Sequence, residues 1–95
     1  MDKTLLVSAL VKNGGIDPKN ALPLADDLVG LKAPFDGFLE RWLKDPSDIA
    51  DYELEGIRIS MLTDKVGMTY PAALSTMNWI LDERDVAVDY IKRNL

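Results

Sequence analysis

The chain has 95 residues, 47 % apolar and 28 % charged, with a formal net charge of −5 and neither cysteine nor histidine. That length sets one domain, residues 1–95, which buries roughly 60–65 % of its unfolded surface. The composition excludes disulfides, thiolate metal sites and every histidine-based catalytic arrangement, and the acidic balance disfavours extended contact with nucleic acid or anionic membranes.

The first helix is expected from Asp2 to Lys12, with Leu6, Ala9 and Leu10 on one stripe and Leu5, Val7 and Val11 outside it. A helix so apolar needs cover on more than one side. The run Leu5–Val11 is short, follows Asp2 and lacks a small-residue cleavage pattern, so it is not read as a signal peptide. No segment approaches the roughly 20 apolar residues of a membrane span. A reducing cytoplasm is the expected setting of a cysteine-free chain. Asn13-Gly14-Gly15 ends the helix.

Asp17-Pro18 opens the second helix with a cap acceptor and a proline in the first turn. Ala21, Leu22, Ala25, Leu28 and Val29 share a face, while Asp26 and Asp27 point outward. Pro23 is expected to kink this helix or delay its start. Gly30 and Pro34 mark its end. From Pro34 to Lys44, Phe35, Phe38, Leu39, Trp42 and Leu43 make one stripe, with Trp42 read as core, and Asp45-Pro46 stops the helix.

Ser47 is placed to cap the next helix. Ile49, Tyr52, Ile59, Leu62 and Val66 recur at helical spacing through Gly56, so a helix bent there, or two in succession, is predicted. Tyr52 to Ile59 also alternates, which supports a short extended piece as the rival. Gly67 ends this element, and Thr69 caps a helix over Tyr70–Leu81 with Tyr70, Ala73, Leu74, Met77, Ile80 and Leu81 inward. A last helix starts near Asp85, with Val88, Ile91 and Leu95 in line; whether 70–94 is one helix or two stays open. The predicted fold is all-α, a compact bundle of five to six short helices.

No catalytic, cofactor-binding or metal-ligating residues are predicted. Asp45, Asp48 and Asp51 recur every three residues without the pattern of a calcium loop and read as caps. Asp26-Asp27 are helix neighbours that do not face each other. Gly14-Gly15 lacks the lysine and third glycine of a phosphate loop.

Ile59 to Met68, followed by Thr69 to Met77, resembles a helix-turn-helix. Leu62 and Val66 sit where a first helix packs inward, Gly67 takes the turn, Met68 tucks beneath it and Ala73 packs the second helix. The resemblance implies a DNA-binding regulator using residues 59–81. Against it, Thr69 to Leu81 offers Asn78 but no cation to hold phosphates.

The stretch Val66–Leu81 carries no charge. Met68, Ala72 and Trp79 fall opposite its core-facing stripe, with Ser75 between them. Two roles fit: a central helix covered on both sides, or an interface patch of Met68, Ala72, Ser75 and Trp79 docking a protein partner or a second copy. A non-catalytic interaction domain, self-associating as a homodimer, is the leading expectation. No cofactor, membrane or nucleic-acid partner is expected.

Overall fold

A computed structural model describes residues 2–95 and orders them as three helices, a two-stranded hairpin and three further helices. The first helix, α1 (Lys3–Lys12), starts where Asp2 accepts the amides of Thr4 and Leu5 at 2.8 and 3.4 Å. It buries Leu6 and Leu10. Leu5 stays 69 % exposed, but Val7, Ala9 and Val11 are half-buried and the two valines pack against the core, so the expected cover extends beyond the Leu6–Leu10 row without enclosing the helix. Gly15 turns the chain at φ 63°. Gly14 answers a different demand: a Cβ there would lie 2.7 Å from the Trp42 ring and 2.8 Å from the Leu10 carbonyl.

The second helix, α2 (Pro18–Leu28), is capped by Asp17 on the Lys19 amide and runs continuously through Pro23. Ala21, Ala25 and Leu28 are buried, whereas Leu22 and Val29, expected on the same face, are exposed. The buried row is narrow, two alanines and a leucine. The third helix, α3 (Phe35–Lys44), buries Phe35, Leu39 and Trp42.

The predicted helix after Ser47 does not form. Ser47 instead donates its amide and hydroxyl to Asp45, and Ile49 is exposed. The rival reading holds: β1 (Glu53–Leu54) pairs antiparallel with β2 (Ile57–Arg58), Glu53 opposite Arg58 and Leu54 opposite Ile57. The physical reason lies in the turn, where Glu55 and Gly56 both take positive φ, 55° and 77°. Two such residues in succession favour a tight hairpin over a helix. Ile57 then points wholly inward while Arg58 faces solvent.

The fourth helix, α4 (Ile59–Asp64), buries Ile59 and Leu62 but leaves Val66, just beyond its end, partly exposed. Gly67 at φ 82° reverses the chain, and the Met68 amide bonds back to the Leu62 carbonyl at 3.0 Å. Thr69 caps α5 (Tyr70–Asp82), and Glu83, at φ −136°, separates it from α6 (Arg84–Asn94), so residues 70–94 form two helices. Leu81 and Leu95, expected inward, are 40 % and 44 % exposed, and the buried row of α6 is Ala87 and Ile91, with Val88 half-buried.

The buried side chains form one cluster. At its centre is α5, which packs against α2, α3, α4 and α6, while α1 packs on α2. Tyr70, Pro71, Ala73, Leu74, Met77 and Ile80 of α5 are buried, and no residue from Tyr70 to Ile80 is fully exposed. The helical part of the charge-free stretch, Tyr70–Ile80, is thus the central helix of the core with one side only partly covered; a charge on its covered sides would be stranded away from water. Among the described residues no helix is long and apolar enough to cross a membrane.

Candidate functional site

The outer side of α5 is built by what its neighbours fail to cover. Met68, Ala72, Ser75 and Trp79 are all half-buried. Met68, its sulfur 3.5 Å from Thr76 Oγ1, lines a cavity of about 80 Å³ with Leu62, Val66, Tyr90, Ile91 and Asn94. The Ala72 amide is held by the Thr69 hydroxyl, and its carbonyl accepts the Thr76 hydroxyl at 2.9 Å. Ser75 and Trp79 open instead onto a cleft of about 490 Å³ on the α2 side, shared with Asp26, Asp27, Gly30 and Asp82.

The structure therefore sets Met68 in one hollow and Ser75 and Trp79 in another, and Ala72 lines neither. The side chain that joins them comes from α6. Tyr90 lines the small cavity beside Met68 and meets the Trp79 ring edge-on, with centroids 5.6 Å apart and planes at 65°. Tyr90 and Val86, one turn before it, are 56 % and 57 % exposed. Sequence reasoning missed both. The available signal was two apolar residues four apart on a charged helix, off the row of Ala87 and Ile91.

Charge around the α2-side cleft is largely compensated. Asp26 pairs with Lys3, and Asp82 pairs with Lys32, whose backbone amide also donates to Asn78 Oδ1 at 2.8 Å. Asp27 takes no ion pair among the described residues. Among the described residues no group of three or more acidic side chains is arranged to hold a metal ion.

The regularly spaced aspartates have local duties. Asp45 accepts from Ser47, and Asp48 holds Arg41 at 3.0 Å. Asp51 reaches from the loop to the start of α4, accepting the Ser60 amide at 3.0 Å and its hydroxyl at 2.9 Å. Burial pushes the Asp51 carboxyl up, but the Ser60 and Tyr52 hydrogen bonds together hold it below the ordinary carboxylate value. Arg84 grips Glu55 at 2.9 Å and so ties the hairpin to the start of α6; that hydrogen bond keeps the Glu55 carboxyl low. The Tyr70 phenol donates to the Ala50 carbonyl at 3.0 Å, and burial raises its pKa above the ordinary value.

The helix-turn-helix-like segment is α4, the connection at 65–69, and α5. A recognition helix must stand proud enough to enter the major groove. Here the second helix is the one packed against four other helices. Arg58, before the turn, faces Glu53 at 3.6 Å. No protein-family model matches the chain, and comparison with curated proteins and with solved structures finds no match for it.

Proposed function

We propose that this chain is a non-catalytic protein–protein interaction domain that self-associates through the edge where α5 meets α6. The observation that carries the reading is the exposed pair Val86 and Tyr90 set beside the half-buried Trp79. Aromatic side chains with one face packed and one face open are the usual anchors of interfaces, because they add much contact area for few rotatable bonds. Met68 and Val66 extend the same apolar strip past Tyr90. A cytoplasmic setting belongs to this reading and rests on the cysteine-free composition.

A concentration series by sedimentation tests it. A mass that rises with concentration, and a rise reduced by Trp79→Ala, supports the proposal. A strict monomer at high concentration removes self-association. The alternative, a DNA-binding regulator using residues 59–81, has less support, because its reading helix is interior and brings no cation. Duplex binding at low salt that weakens steeply as salt rises is the result that would favour it.

A further inference from the structure

The end of α1 carries an Asn-Gly pair, Asn13-Gly14. The other asparagines, Asn20, Asn78 and Asn94, precede alanine, tryptophan and leucine. With no Cβ on the following residue, nothing hinders its amide nitrogen from reaching the asparagine side-chain carbonyl. We infer that Asn13 is a site of spontaneous deamidation, restrained by the folded chain, and that its conversion unfastens the end of α1 from the end of α3. This site is independent of the edge between α5 and α6. In the step, the Gly14 nitrogen gives up its proton and bonds to Asn13 Cγ. The Cγ–Nδ2 bond breaks, and Nδ2 leaves with that proton as ammonia. Water then opens the cyclic imide at either carbonyl, adding OH to carbon and H to nitrogen. The products are aspartate and isoaspartate, each one negative charge beyond the original −5.

The native contacts oppose the attack. The Gly14 amide, which must swing onto Asn13 Cγ, donates instead to the Leu10 carbonyl at 3.1 Å. Asn13 keeps helical backbone angles, φ −90° and ψ −37°, and its own amide donates to the Ala9 carbonyl at 2.8 Å. Gly14 lies so close to Trp42 that a Cβ would fall 2.7 Å from its ring, so turning the peptide between residues 13 and 14 must displace a buried side chain. The asparagine side chain is tethered as well. Its Nδ2 donates to the Leu43 carbonyl in the last turn of α3, a long bond at 3.5 Å. Carbonyls in that turn have no intrahelical amide to accept. The same contacts reject the products. A carboxylate has no N–H for Leu43, and it sets a negative charge beside the carbonyl ends of both α1 and α3, where the helix dipole favours a cation. Isoaspartate also lengthens the backbone by one carbon next to Gly14, where the Trp42 ring stands close. The reaction therefore proceeds when the end of α1 opens, and the product hinders its closing.

The test is peptide mapping by mass spectrometry on the full chain, aged in warm, mildly alkaline buffer with and without denaturing urea. Asn13 should convert ahead of Asn20, Asn78 and Asn94. It should convert at least about tenfold more slowly in the folded chain than in urea, because only molecules with an open helix end react. Equal rates in the two states overturn the restraint, and no conversion at Asn13 in urea overturns the site. Hydrogen exchange on freshly prepared variants tests the consequence. In Asn13→Asp the amides of Gly14 and Ile16, both bonded to the Leu10 carbonyl, should exchange about tenfold faster than in the wild type. Asn13→Gln, which keeps a side-chain donor, should stay within about threefold of the wild type. Unchanged exchange in Asn13→Asp, or equal acceleration in both variants, overturns the unfastening.

Discussion

Helices α5 and α6 lie side by side and solve opposite problems. From Tyr70 to Leu81, α5 has no charge, yet the residues through Ile80 are all at least partly covered. Helix α6 is dense with charge, yet it presents Val86 and Tyr90 to solvent. The absence of charge marks the helix that must be surrounded. An apolar pair left among charges marks the surface that has not been covered. The proposed interface accordingly draws its exposed pair from the charged helix rather than the apolar one.

The comparison can be broken from its interior side first. Leu74→Ala should cost about 2–5 kcal/mol of unfolding free energy by urea denaturation, since Leu74 is wholly buried in α5. A loss under about 1 kcal/mol would mean that α5 is not central. Gly14→Ala comes next. Its Cβ would press on both the Trp42 ring and backbone, so a loss of about 1–3 kcal/mol is expected by the same assay.

Asp51→Asn should cost about 1 kcal/mol near neutral pH, because the carboxylate caps α4 from a distant loop. Its folded pKa is lowered, so its contribution is present above the ordinary carboxylate pKa and fades as pH falls through the lowered value. The variant should accordingly show a shallower loss of stability on acidification, followed by denaturation at a series of pH values. Smallest of all is Val86→Ser, expected to change monomer stability by less than about 0.5 kcal/mol while weakening self-association. A large loss of monomer stability would place Val86 in the core and dissolve the contrast between the two helices.

The helical class, the caps at Asp17 and Thr69, and the inward rows of α3 and most of α5 were legible from spacing and cap chemistry. The hairpin was less so. Ile49, Tyr52, Ile59, Leu62 and Val66 keep helical spacing, and the deciding fact is that Glu55 accepts a left-handed conformation beside Gly56. In the folded chain Glu55 also meets Arg84, a contact from far along the chain that spacing does not show. Leu22, Val29 and Leu81 were misplaced for a simpler reason. In short helices the apolar stripe is wider than the neighbour that covers it, and periodicity does not say which margin stays open. The candidate surface suffered the same limit: Trp79 was visible as an outward aromatic, but the Tyr90 ring beside it is a contact between helices.

The most direct test of the account is the dilution dependence of backbone amide and indole N–H resonances from the millimolar to the low micromolar range. The account predicts shifts confined to residues 83–93 and the Trp79 indole. Shifts absent throughout, or centred instead on exposed Leu5 and Leu22 of α1 and α2, would contradict it.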